Sequence, residues 1–296
     1  MKTIFLILIS ATLLFSQIDK HKSVIARMNV VAGNVYEWEI DSLLVYHPTL
    51  ADSITTDYNN FVSNLKDSAT TIMGYSVTSL SQIWDVMVIM AAPDTSVGHH
   101  DITNNGFNGI DISETVPVFT AFEGIAGAGN AELYSTQWSP NPDSIKFQQD
   151  SASISVYSRV ELKVSNIIIG DGGAGNVVQL SPNRGDAAFR GKMNSLVMHP
   201  AFESTNSSLG MFTISRWAVD AVGGFWNFSE GDSVQTAIAS GTVASTSLLL
   251  LSPSGGLAFQ VSFYAIGIGI PYAMHRALTN CFETFIMDHW GKGIIP

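Results

Sequence analysis

From residue 116 onward, the chain is a succession of short apolar runs separated by turn residues, without a long helical pattern between them. The runs cover residues 116–122, 151–160, 164–169, 177–180, 209–216, 243–251 and 257–268. Successive strands without crossover helices pair antiparallel, because a parallel pair needs a long connection that is usually a helix. The pattern therefore predicts a mainly β protein, an antiparallel β-sandwich rather than a βαβ sheet.

Two local patterns refine this prediction. Within residues 151–160, Ile154 and Val156 alternate with serines, as on a strand with one solvated face. We therefore expect Ser153 and Ser155 to face solvent. Beyond the last strand, apolar residues recur at helical spacing and predict an amphipathic helix over 273–290 that closes the fold; they are Met274, Ala277, Leu278, Cys281, Phe282, Phe285 and Ile286.

The first half of the chain has a helical character. Tyr58, Phe61 and Leu65 follow the spacing of one apolar helix face. A second apolar stretch, from Leu80 to Met90, predicts the other helix of a pair within residues 48–92. Residues 93–113 are rich in Asn-Gly pairs and predict a loop. The spacing over 36–44 fits a strand and a helix equally well.

Residues 1–17 have the features of a secretory signal peptide. Lys2 precedes an apolar run that is too short to span a bilayer, and Ser16 is a small residue near a cleavage point. We therefore expect a secreted or cell-surface protein with no membrane span in the mature chain. The predicted organisation is a signal peptide (1–17), a lead-in and helical unit with its loop (18–113), and the sandwich (114–296).

The composition limits the partners and the chemistry. The chain has 14 Lys and Arg against 25 Asp and Glu, whereas a nucleic-acid-binding surface needs clustered cations to neutralise phosphates. The formal net charge of −11 therefore excludes nucleic acid as the expected partner. The single cysteine, Cys281, excludes an intrachain disulfide and a Cys-rich zinc or iron–sulfur site.

Five segments follow one another along the chain: IWDVMVIMA (83–91), FTAFEGIAGAGN (119–130), DSASISVYSR (150–159), NSSLGMFTISR (206–216) and FYAIGIG (263–269). Their order and spacing resemble the concanavalin A-like (laminin-G-like) modules of secreted Bacteroidetes proteins and of phage structural proteins. The resemblance covers about residues 55–290. It implies a jelly-roll sandwich preceded by a small helical unit, and it implies lectin-like carbohydrate binding or adhesion. It provides no shared catalytic set to transfer.

One segment departs from that family. Where the family has a short polar hairpin with a charged tip, residues 217–241 are rich in aromatic side chains. Aromatic faces stack on the CH groups of sugars, while carboxylates and amides bind hydroxyl groups. We therefore predict a ligand-binding site in this hairpin, with core packing as the alternative use of its rings. The predicted site residues are Trp217, Asp220, Phe225, Trp226 and Asn227.

Two weaker candidates lie elsewhere in the sandwich region. Tyr134, Gln137 and Trp138 could also stack on a sugar, with core packing again as the alternative. Asp171 and Asn176 flank a glycine-rich turn and could offer oxygen atoms to Ca²⁺. Because no further acid follows closely, we expect no resident cofactor and no metal site.

A reactive centre is not predicted. His99, His100 and Asp101 form a metal-like cluster, for which an exposed polar loop is the alternative. Glycoside hydrolysis needs two opposed carboxylates, and the Glu-x-Asp-x-x-Glu string of related sandwich glucanases does not occur in this sequence. The predicted function is therefore non-catalytic binding of a glycan or another surface polymer. The alternatives are a self-associating structural module, such as a phage tail protein, and a glycoside hydrolase.

Overall fold

The computed structural model describes most of the chain beyond the N-terminal region, and the predicted signal peptide (1–17) lies outside the described residues. The described ranges are 38–111, 117–127, 133–161, 167–171, 177–184, 188–198, 202–204, 207–226, 233–241, 243–251 and 259–291. Its helical segments are α1 (Trp38–Tyr46), α2 (Asp52–Met73), a 3₁₀ turn (Leu80–Gln82), α3 (Thr95–Gly98), α4 (Pro140–Asp143) and α5 (Tyr272–Trp290).

The strands come in chain order from β1 to β15. They are β1 (Trp84–Ile89), β2 (Ile110–Asp111), β3 (Val118–Thr120), β4 (Gly124–Ala126), β5 (Tyr134–Ser135), β6 (Ala152–Ser158), β7 (Ile169–Asp171), β8 (Val178–Arg184), β9 (Ala188–Met193), β10 (Phe202–Ser204), β11 (Gly210–Ala218), β12 (Ala221–Trp226), β13 (Ser233–Ala237), β14 (Leu248–Leu250) and β15 (Gln260–Gly267).

These strands form two antiparallel sheets, which confirms the predicted β-sandwich. In the described part of the chain, the central sheet has eight strands in the order β13-β12-β11-β6-β15-β4-β3, with β1 also paired to β15. The outer sheet has seven, in the order β10-β9-β8-β7-β14-β5-β2. Apolar side chains from both sheets form one core between them, including Val86, Ile154, Leu180, Phe189 and Phe212.

A helical layer covers the other face of the central sheet. The predicted C-terminal helix is confirmed as α5, which lies beside α2, and their aromatic residues pack on the sheet; Phe282 lies 5.0 Å from Phe263 of β15, between ring centroids. The central sheet is therefore buried on both faces. The predicted exposure of Ser153 and Ser155 is wrong, since each is only 1% exposed. Ser155 is bonded at 2.7 Å to Thr213 of the neighbouring strand β11, and Thr213 in turn lies 2.9 Å from Nδ1 of His275 in α5.

The predicted helix over Leu80–Met90 is also wrong. This segment is a 3₁₀ turn followed by β1, in which all six residues are buried. Met87 and Ile89 face the helical layer, whereas Val86 and Val88 face the outer sheet. A strand buried on both faces is a continuous apolar run, and periodicity does not distinguish it from a buried helix.

Residues on both sides of the predicted boundary at 113 contribute to the same layers. β1 pairs with β15, so that Met87 lies opposite Ala265. The Tyr58 ring of α2 lies 5.1 Å from that of Phe285 in α5. The boundary therefore falls inside one sheet and one helical layer. Among the described residues, no helix combines the length and apolar character needed to cross a membrane.

The carboxylate of Asp85 in β1 is hydrogen-bonded to the backbone of the segment that follows α4. We expect Asp85→Asn to lower the free energy of unfolding by about 2–3 kcal/mol. Asp85 is buried, and it accepts hydrogen bonds from the backbone N–H groups of Ile145, Lys146 and Phe147 at 2.8–3.0 Å. An amide in its place turns an N–H₂ group toward these donors.

Urea unfolding followed by circular dichroism measures this difference. Asp143→Asn is the matched control, because Asp143 is partly exposed and accepts one backbone hydrogen bond, from Ser139. Its expected cost is below about 1 kcal/mol. Equal losses in the two variants would contradict the role assigned to Asp85.

Candidate functional site

The hairpin of β11 and β12 divides the predicted site residues between two faces of the central sheet. Trp226 is 7% exposed and lies in the core between the sheets, 5.9 Å from Phe189 between ring centroids. Its neighbour Phe225 points to the helical side. A ligand cannot stack on Trp226, and this part of the prediction is wrong because successive residues of a strand face opposite ways. Asp220 is exposed in the hairpin turn, and Asn227 lies outside the described residues.

An open cleft forms on the helical side, and we call it the aromatic cleft. Its volume is about 330 Å³, and its lining residues are Trp217, Phe225, Gly269, Pro271 and Tyr272. The Trp217 ring is stacked with that of Phe225 at 6.0 Å and 11°. Phe225 forms the buried floor, 5.6 Å from Tyr272. Trp217 and Tyr272 are half-buried, so part of each ring is open to a ligand.

Two glycines allow these rings to come together. A Cβ atom at Gly223 would lie 2.8 Å from the Trp217 ring, so only glycine lets the indole lie across β12. A Cβ atom at Gly269 would lie 1.9 Å from the carbonyl oxygen of Arg216. This close approach brings Pro271 and Tyr272 from the far end of the sequence to the hairpin.

Polar groups lie behind and beside the aromatic cleft. The buried His275 ring has its Nδ1 atom 2.9 Å from Thr213 Oγ1, and burial lowers the pKa of His275 to about 3. The imidazole is therefore neutral at pH 7. At the exposed side, Arg276 donates a 3.4 Å hydrogen bond to the Tyr272 hydroxyl. Among the described residues that line the cleft, none carries a carboxylate. The aromatic rings and the neighbouring hydroxyl and guanidinium groups are suited to binding a ligand.

The second aromatic candidate belongs to the core. Tyr134 and Trp138 are fully buried, and the Trp138 ring lies 5.3 Å from Phe147. Gln137 is exposed, in a left-handed backbone conformation with φ 57°. The alternative interpretation as core packing therefore holds for both rings, because the hydrogen-bonded turn at Gln137 directs them inward.

The metal-like cluster lies in a largely buried loop rather than an exposed one. His100 and Asp101 are buried, and Asp101 accepts hydrogen bonds from Met87 N at 3.1 Å and from Thr103 Oγ1 at 2.7 Å. Burial raises the pKa of Asp101. In the described ranges, no group of three or more His, Cys, Asp or Glu residues could hold a metal ion. The expectation of an exposed loop fails because the carboxylate holds the loop against β1.

The carboxylate considered for Ca²⁺ is already occupied by the backbone. Asp171 is buried and accepts hydrogen bonds from the N–H groups of Val177 at 3.2 Å and Val178 at 3.0 Å. Asn176 lies outside the described residues. Asp171 therefore connects the end of β7 to the start of β8.

Sequence reasoning missed Tyr272, Pro271 and Gly269. They follow β15, more than forty residues after the hairpin, and no local spacing connects the two segments. The one local signal was Gly-Ile-Pro-Tyr before an amphipathic pattern, which indicates a tight approach followed by a helix start. That signal places a tyrosine at the beginning of α5 and does not show what it faces.

Comparison with known proteins shows the fold and leaves the family open. No protein-family model and no curated protein matches this chain. A solved structure of an HCR/D mutant is 11% identical with a TM-score of 0.50, covering 72% of this chain and 57% of that one. Domain 4 of AbnA, a GH43 extracellular arabinanase from Geobacillus stearothermophilus solved with arabinotriose, is 15% identical (TM-score 0.43; 66% of this chain, 98% of that one).

A sialidase from Trypanosoma rangeli, solved with 2,3-difluorosialic acid, is 11% identical with a TM-score of 0.45, covering 80% of this chain and 39% of that one. The chain thus spans little more than half the length of the HCR/D structure. At these identities the likeness is one of fold alone, a β-sandwich.

Proposed function

We propose that this chain is an exported, non-catalytic β-sandwich protein that binds a glycan or another surface polymer through the aromatic cleft. The observation that supports this most directly is the cleft itself, in which the half-buried rings of Trp217 and Tyr272 flank an open space above Phe225. Aromatic faces of this kind stack on the CH faces of sugar rings. The resemblance to concanavalin A-like modules supports the same class of ligand, and the signal-like residues 1–17 support export.

Charged groups lie on both elements that form the cleft. Asp220 is exposed in the turn that follows Trp217, and Arg276 is exposed on α5 and bonded to Tyr272. They can bind hydroxyl groups of a sugar that rests on the rings. The alternative of an assembly interface over 217–228 is less favoured, because Phe225 and Trp226 are buried and add no exposed apolar surface. A glycosidase is less favoured because none of the described residues that line the cleft carries a carboxylate.

We expect Trp217→Ala to weaken glycan binding about five- to tenfold, because stacking on an aromatic ring contributes on the order of 1–1.5 kcal/mol. A glycan array identifies the ligand, and isothermal titration calorimetry then measures both affinities. Tyr75→Ala is the control, since it removes an aromatic ring that is 44% exposed and outside the cleft. A folded wild-type protein that binds no glycan, or full affinity in the Trp217 variant, would refute the proposal.

A further inference from the structure

A second cleft lies at the other end of the helical layer, and we call it the polar cleft. It has a volume of about 340 Å³ and lies between the segment that joins α1 to α2 and the segment that follows β1. Its rim carries the side chain of Tyr46, which is 67% exposed, next to the exposed Pro48. Unlike the aromatic cleft, it contains a carboxylate, that of Asp94, together with the Ser96 hydroxyl.

The Asp94 carboxylate is ionised and has one oxygen available. Its Oδ1 atom accepts hydrogen bonds from Ser96 N at 2.9 Å, Ser96 Oγ at 2.7 Å and Val97 N at 3.1 Å. Although partial burial alone would raise the pKa of Asp94, these hydrogen bonds hold it below its ordinary value. No described residue donates a hydrogen bond to Oδ2. The capping role therefore uses one oxygen and leaves the other for a ligand.

Two buried polar atoms lie behind the wall of the polar cleft without a hydrogen-bond partner among the described residues. One is Nε2 of His100, whose ring is 5.3 Å from that of Tyr46 and 5.6 Å from that of His47. The other is the hydroxyl of Tyr58, which is within electrostatic range of Asp94. The interior beneath Tyr46, His47 and Asp94 is therefore polar as well.

We infer that the polar cleft is a second saccharide-binding site, independent of the aromatic cleft. The exposed ring of Tyr46 and the ring of Pro48 provide a stacking face, and the open oxygen of Asp94 can accept hydrogen bonds from ligand hydroxyls. Thr49 adds a hydroxyl that can donate and accept, and the Ser96 hydroxyl, which donates to Asp94, can accept. The inference extends the proposed glycan binding to another surface of the molecule and does not depend on Trp217.

The charges around the polar cleft favour a neutral ligand rich in hydroxyl groups. No described residue of its lining is Lys or Arg, so an anion would lack a counter-ion. Burial lowers the pKa of His47, although Asp94 acts in the opposite direction, so the imidazole is neutral at pH 7. Helix α2 begins beside the cleft at Ala51 without a side-chain cap, which leaves backbone N–H donors there. The cleft therefore places backbone N–H donors next to the Asp94 acceptor. A hydroxyl group of a sugar can bind to both, because it donates and accepts hydrogen bonds.

Calorimetry with neutral trisaccharides (cellotriose, maltotriose and arabinotriose) tests this on the full chain. We expect two sites in the wild type and one in Trp217→Ala. In that background, Tyr46→Ala and Asp94→Asn should each weaken the remaining site about tenfold, equivalent to about 1.4 kcal/mol. Asparagine is a good helix cap, so Asp94→Asn keeps α3 capped. Tyr75→Ala and Asp52→Asn are matched controls, because both residues are exposed and neither lines the cleft.

The outcomes separate this inference from the proposed function. If Trp217→Ala abolishes all binding, the polar cleft is not a saccharide site and the aromatic cleft is. If Trp217→Ala keeps the affinity and the number of sites of the wild type, and Tyr46→Ala alone abolishes binding, the inference holds and the aromatic cleft is refuted. A wild type that binds none of the saccharides refutes both. Tighter binding of the diamine putrescine than of any saccharide, lost in Asp94→Asn, would also overturn the inference.

Discussion

Replacing Arg216 by methionine is expected to lower the free energy of unfolding by about 4 kcal/mol. The Arg216 side chain is fully buried, and within the described ranges its guanidinium donates hydrogen bonds to backbone carbonyl oxygens. Nε and Nη2 bind Met193 O at 3.0 and 2.9 Å. Nη1 binds the carbonyl oxygens of Ala218, Val219 and Ile238 at 2.8–3.3 Å. One side chain thereby fastens the ends of β9, β11 and β13 together.

The expected loss is large because methionine leaves these carbonyl oxygens without donors. Each unsatisfied buried group costs about 1–3 kcal/mol, and water that enters from the loop side recovers part of the sum. Arg216→Lys should fall between the wild type and Arg216→Met, since one ammonium cannot reach both sets of carbonyls in the way a planar guanidinium does.

Urea unfolding followed by tryptophan fluorescence measures these differences. Arg276→Met is the matched control, because Arg276 is exposed and its hydrogen bond to Tyr272 is long, at 3.4 Å, so its loss should cost less than about 1 kcal/mol. If Arg216→Met is no more destabilising than Arg276→Met, the hydrogen bonds of the Arg216 guanidinium do not stabilise the hairpin. A destabilised hairpin should also bind glycan less well, because Trp217 directly follows Arg216 in β11.

The fold could be predicted because its antiparallel strands and closing helix have local patterns. The run at 209–216 became β11, and the apolar face after residue 272 became α5. The error at β1 and at Ser155 has one physical cause, which is the third layer. A face that meets helices can carry serine as readily as a face that meets water, and Ser155 bonds to Thr213 at 2.7 Å in the buried layer.

The candidate site could be predicted only in part, for a related reason. The aromatic residues of the hairpin are visible in the sequence, but which of them face the core depends on how β12 pairs with β11. In the structure, Phe225 lies opposite Thr213 and Trp226 lies opposite Phe212. Tyr272 and the polar cleft depend on contacts between distant segments, and a single sequence contains no local sign of them.

Acid is expected to destabilise this protein strongly between about pH 6.5 and pH 3, because of two buried neutral histidines. Burial lowers the pKa of His275 from 6.5 to about 3, with a further decrease from the neighbouring Arg276. Burial likewise lowers the pKa of His100 to about 4. In this window the unfolded chain binds protons that the folded chain does not. Stability is therefore complete above pH 6.5 and falls with decreasing pH, by up to about 1.4 kcal/mol per pH unit for each group.

His275→Asn removes one of these protons and keeps a group that can bond to Thr213. We expect the variant to be less stable than the wild type at pH 7.5, since packing against Phe225 and Tyr272 is lost. Between pH 6 and pH 4 its free energy of unfolding should decrease less steeply, by about 1.4 kcal/mol per pH unit. His100→Asn should reduce the pH dependence in the same way, because burial also lowers the pKa of His100.

Urea unfolding at half-unit steps of pH measures these slopes, and the difference between variant and wild type isolates one residue. This matters because burial raises the pKa of Asp101, which acts in the opposite direction by stabilising the protonated fold at low pH. That contribution is common to both proteins and cancels in the comparison. If His275→Asn retains the full wild-type slope, the ring is protonated in the folded state, and His275 then cannot be the neutral partner of Thr213 behind the aromatic cleft.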